Sequence, residues 1–190
     1  MLMFRNRISS VEWLTIIALV ALGVAGRVMP HAPNFTPVAA CALFAGWLFR
    51  DRMHAMLVPL LTMAISDCFW LGLHDWRITI AIYAAVASPI LMSRWLKERC
   101  GTLRITSCAT GGAIVFYLTT NLAVWAFGGI YEFNLPGLIS CYTAGLAFFK
   151  FTLAGDLMWS AGLFGTYALV TKLVRMTECR TGTADVATAR

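Results

Sequence analysis

Residues 27–46, RVMPHAPNFTPVAACALFAG, decide how this chain is put together. Pro30, Pro33 and Pro37 have no backbone N–H, so no regular helix crosses the first half of the segment. Met29, Ala32 and Thr36 each precede a proline and are pushed toward extended geometry. Asn34 or Thr36 is then placed to cap a new helix, with Pro37 in its first turn. That helix opens on small residues: Ala39, Ala40, Ala42, Ala45 and Gly46. Arg27, His31 and Asn34 lie at its entrance. The segment reads either as a plain turn at a membrane surface or as the mouth of a site.

The rest of the chain fits a membrane setting. Of 190 residues, 59% are hydrophobic and 13% are charged, against about 25% charged in a soluble domain. Mean hydropathy is +0.74. The apolar runs are continuous rather than alternating, which predicts an all-α integral membrane protein and not a barrel. Six spans are expected, at about 11–26, 36–49, 55–73, 78–96, 105–127 and 151–174. A short outer or re-entrant helix is expected at 138–149, and a disordered tail at 176–190. Arg5 and Arg7 ahead of an apolar stretch also suit a secretory leader. Arg27 and Pro30 after it, with a small-residue face, favour a retained helix. Ala21 and Ala25 on that face read as internal packing or as a docking surface for a partner subunit.

Charge sets the expected orientation. Twelve of the 15 Lys and Arg fall at one set of span ends; Arg27 and Arg77 alone mark the other, and Lys150 opens the last span. Basic residues favour the cytoplasmic side, which predicts both termini inside the cytoplasmic membrane of a bacterium. The net charge of +6 is therefore a topology signal and does not point to nucleic acid.

On this layout the costly polar groups gather in the outer half of the spans. They are Asp67, Tyr83, Asn121, Lys150 and Asp156. Ionisable groups within spans are expensive in lipid and are candidates for function by default. Lys150 with Asp156 or Asp67 would also make a neutral internal pair. Trp125 and other aromatics near the same end form an interfacial belt or the wall of a pocket. The six cysteines form no CxxC pair, and GxSxG, HExxH and P-loop motifs are absent. A pocket of this kind suits uptake of a small molecule. The alternatives are a membrane enzyme acting on a lipid or quinone, an assembly subunit without a ligand, or an ion or proton carrier.

PHAPNFTPVAACALFAG, LLTMAISDCFWLG, LTTNLAVWAFGG and FFKFTLAGDLMWSAGLFG resemble a family of small bacterial membrane proteins. That family is in turn similar to the substrate-binding S-components of energy-coupling-factor (ECF) vitamin transporters. The resemblance covers about residues 27–165. It implies the S-component fold with a pocket open to the outside, and no enzymatic activity. It carries Asp67, Tyr83 and Lys150 over to the pocket, and Asn34, Asn121, Trp125 and Asp156 are added from the residues themselves. The implied cargo is vitamin-like, with cobalamin the best single expectation. The implied partner is an ECF-type energising module, or none in the solitary type. For a cobalt corrinoid, Cys68, His31 and His74 are the nearest metal-facing candidates.

Overall fold

The computed structural model describes residues 8–72 and 75–188, with side chains described up to Glu178. Seven α-helices follow one another, and there is no strand among the described residues. They are α1 (Ser10–Val28), α2 (Val38–Leu48), α3 (Arg52–Ser66), α4 (Trp76–Ala87), α5 (Pro89–Glu98), α6 (Thr102–Phe127) and α7 (Leu135–Thr188). Five stretches are long and apolar enough to cross a bilayer: 10–28, 52–71, 76–98, 102–127 and 135–178. The outer surface suits lipid, with Leu14, Ile17, Leu91, Leu118, Leu122, Leu146 and Met158 all exposed.

Local sequence explains most boundaries. Ser9 and Glu12 form a capping box at the start of α1, and Asp51 and Asp75 cap α3 and α4 through their side chains. The expected fourth span is α4 and α5 in sequence, bent at Ser88 where Pro89 supplies no donor. α3 ends in one π-helical turn, Asp67–Leu71, closed by Gly72 N–H donating to the Asp67 carbonyl at 2.9 Å.

α2 is the hub. Val38, Ala40–Gly46 and the flanking Pro37 are buried, and α2 packs against each of the other helices. Its N-cap is Pro37 and no side chain bonds to its first turn, so the expected caps Asn34 and Thr36 do not serve as such. Asn34 instead takes a left-handed backbone (φ 61°) that turns the chain into the helix. Two glycines admit this segment. The Pro37 ring lies where a Cβ on Gly26 would sit, and the Phe35 backbone passes 3.2 Å from the Cβ position of Gly155.

The end of the chain differs from expectation. The outer helix at 138–149 and the sixth span at 151–174 are one unbroken helix, α7. Lys150 sits inside it, and no proline follows Pro136 to remove a donor from the ladder. α7 has 54 residues, which is about 80 Å at 1.5 Å per residue, and the helical backbone continues through 176–188. It lies antiparallel along α6, from Cys141 near Asn121 down to Thr171 near Thr102.

The close approaches predict a contrast between glycines. Gly26→Ala should lower stability by about 1–3 kcal/mol through overpacking against the Pro37 ring. Gly162→Ala, whose Cβ meets nothing within 4 Å, should be neutral or stabilising. Thermal unfolding in detergent measures both.

Candidate functional site

The ends of α1 and α3 meet through a buried ion pair. Arg27 Nη2 lies 2.8 Å from Asp67 Oδ1, with the two side chains 16% and 9% exposed. Arg27 Nη1 also donates to Ser66 Oγ at 2.7 Å, and Tyr83 Oη on α4 donates to Asp67 Oδ2 at 2.9 Å. Both Asp67 oxygens are thus occupied, and three helices are tied at one end. Asp67 and Tyr83 come together as the sequence suggests. The cation that pairs with Asp67 is Arg27, expected at the mouth of the segment, and not Lys150.

Beside this cluster a cavity of about 380 Å³ opens. Arg27, His31, Asn34 and Thr36 line its rim and one wall, with Val38 and Ala39 from the start of α2. Met63, Leu71, Ile82, Val86 and Phe116 make the apolar wall. Thr152 and Asp156 reach in from α7. All four side chains of the turn after Asp67 are exposed, and of these Leu71 lines the cavity.

Asp156 is the costliest group here. It is 4% exposed and packs against Ala39, Ala40 and Leu43 of α2, Pro89 and Ala109. Its Oδ2 has no hydrogen-bond partner among the described residues, and neither has the neighbouring Ser160 hydroxyl. A carboxylate removed from water without a partner is strongly disfavoured.

The other expected site residues are placed as follows. Asn121 lines a separate hollow of about 100 Å³ that shares Asn34, Phe116 and Thr152 with the main cavity. Its Nδ2 donates to the Tyr117 carbonyl, and its side chain covers Gly145. Trp125 stacks on Phe133 at 4.3 Å and donates to the Glu132 carbonyl, so it braces the loop before α7 rather than lining the cavity. Lys150 is exposed, with its ammonium 4.9 Å from the Phe151 ring centre. It forms a pair with neither Asp67 nor Asp156 among the described contacts. Six residues separate Lys150 from Asp156, which sets them roughly 120° apart around α7. Cys68 is exposed and lies outside the cavity lining, and no group of three His, Cys, Asp or Glu side chains gathers among the described residues. His74 lies outside the described residues. Ala21 and Ala25 face outward from α1, whereas Gly23 on the inner face meets Thr62.

A larger space of about 770 Å³ lies at the opposite end, between the start of α6 and the later part of α7. Its walls include Trp47, Leu157, Phe164 and Tyr167, with Lys172 and Arg175 near its end. No acid lines it.

Fold and site together define an all-helical protein whose helices suit a bilayer, built around a short central helix with a polar-floored cavity above it. Residues 7–178 match the model of DUF6580, a family of unknown function, and the chain belongs to that family. No curated protein and no solved structure matches it.

The two candidate partners of Asp67 are separated by mutation. Asp67→Ala leaves the Arg27 charge buried and should cost about 3–5 kcal/mol. Combining Asp67→Leu with Arg27→Met should recover much of that loss, with a coupling of about 0.5–3 kcal/mol. Lys150→Met combined with Asp67→Leu should show no coupling. Melting of the four single and two double variants in one detergent provides both cycles.

Proposed function

We propose that this protein binds a compact, vitamin-like small molecule and carries it across a bacterial cytoplasmic membrane. The observation that carries this reading is the 380 Å³ cavity beside a buried ion pair, with an unpartnered carboxylate in its wall. Ligand sites run at about 300–1,000 Å³ and combine apolar walls with a few placed polar groups. The cavity fits that description at its small end. A molecule with one ring or a short chain suits it better than a corrin. The exposed position of Cys68 lends no support to a cobalt ligand, so cobalamin is not the cargo favoured here.

The distribution of basic residues favours the Arg27 end as the outer one, with both termini in the cytoplasm. The cavity would then load from outside. Uptake is favoured over catalysis by what lines the cavity. Thr152 Oγ1 donates to the Phe148 carbonyl, and His31 faces backbone carbonyls, so no nucleophile is held by a base. The outward Ala21–Ala25 face is the surface offered to an energising partner such as an ECF-type module.

Native mass spectrometry of protein purified gently from its own membranes tests this reading. The expected result is a retained small molecule that is lost when Val86→Phe fills the cavity. Retention of the same molecule by the filled variant would place binding elsewhere and contradict the proposal.

A further inference from the structure

The site just proposed holds one carboxyl group that its own residues leave without a partner. Arg27 is committed: its guanidinium bonds to Asp67 and Ser66, and the two charges of the pair cancel. His31 sits at the exposed rim, with Nδ1 2.7 Å from the Ala32 carbonyl and Nε2 3.3 Å from the Arg27 carbonyl. Both ring nitrogens therefore point at backbone and not at Asp156. Lys150 is exposed and turned to another side of α7. The Thr152 hydroxyl, one turn above Asp156, donates to the Phe148 carbonyl. Ser160, one turn below, makes no bond to it.

Asp156 is 4% exposed, lines the cavity and keeps an oxygen without a donor. Native proteins pair or hydrogen-bond a group like this. The missing donor therefore comes from what enters the cavity. Resting on the reading of this cavity as a ligand site, we infer that its ligand carries a cationic hydrogen-bond donor, such as a protonated amine, for which Asp156 is the counter-ion.

The surroundings favour a compact cation over a bare anion. The same cavity has an apolar lining in Ile82, Val86 and Phe116 that suits the hydrocarbon part of an alkylammonium. Asn34 and Thr36 at the rim offer hydrogen bonds to a second polar group. A metal ion is disfavoured because no group of three acid, His or Cys ligands gathers among the described residues. A proton on Asp156 would also remove the charge, and the experiment separates that outcome.

The test uses the full chain purified in detergent, with propylammonium chloride, 1-propanol and sodium propionate as probes at matched ionic strength. Melting temperature is read for the native chain, Asp156→Asn and Val86→Phe. Asp156→Asn keeps the size and removes the charge, so it should fold at least as well as the native chain. The inference expects propylammonium alone to raise the native melting temperature. Its apparent affinity should fall about 10- to 100-fold in Asp156→Asn, as for one lost charge-assisted hydrogen bond. The rise should vanish in Val86→Phe. If propanol and propylammonium stabilise equally, and Val86→Phe abolishes both shifts, the cavity binds ligand but the cationic inference falls and Asp156 is protonated. If no probe acts on the native chain, or Val86→Phe responds like the native chain, the ligand-site reading falls as well.

Discussion

α2 has 11 residues, which is about 16 Å of helix, while the apolar core of a bilayer is about 30 Å thick. In a bilayer a segment this short would leave non-helical backbone at depth, where lipid cannot hydrogen-bond it. Such backbone is tolerated only inside protein or beside a polar cavity. Much of the architecture answers that constraint. The other helices surround α2, Gly26 and Gly155 give the segment before it room, and the cavity lies beside its first turn. Three prolines precede the start of α2, and the cavity opens beside that start.

Two acids at that end are treated differently, and the contrast is the chemical content of the site. Asp67 is satisfied twice over, by Arg27 and by Tyr83, and serves to hold α1, α3 and α4 together. Asp156 lies in the wall where α7 passes the start of α2 and is left without a donor. A chain under no functional demand would lose little by replacing Asp156 with an apolar residue, since buried charges rarely add net stability. An unpartnered acid in the wall of a cavity is the observation on which the proposed binding role rests.

Much of this was legible in the sequence. The helical class, the broken segment before α2 and the clustering of Asp67, Tyr83, Asn34 and Asp156 at one end follow from composition, proline spacing and helix direction. The pairing of Arg27 with Asp67 is not legible in the sequence, where a basic residue near a span end reads as a topology marker and as part of the mouth of the hinge. α1 runs to Val28, so Arg27 sits within its last turn, where it can reach α3. Lys150 was grouped with Asp156 on proximity in the chain. Helical phase could have prevented this: Gly145, Phe149, Thr152, Asp156 and Ser160 recur at three- and four-residue spacing and form the inner stripe of α7, and Lys150 falls off it. The same stripe runs on both sides of Lys150, which is the signal that the outer helix and the last span are one element. The role of Trp125 in bracing a loop depends on Phe133 folding back onto it, a contact that no periodicity reveals.

The central claim is that α2 closes a cavity that water reaches from the Arg27 end alone. Cysteine accessibility tests it most directly, in a background where the native cysteines are replaced. Single cysteines at Thr152, on the cavity wall, and at Leu43, buried beneath it along α2, are exposed to a membrane-impermeant thiol reagent from each side of sealed vesicles. The account predicts that the Thr152 position reacts from the Arg27 side only, and that the Leu43 position reacts from neither. Reaction at position 43, or equal reaction at position 152 from both sides, would show that α2 does not seal the cavity and would contradict the account.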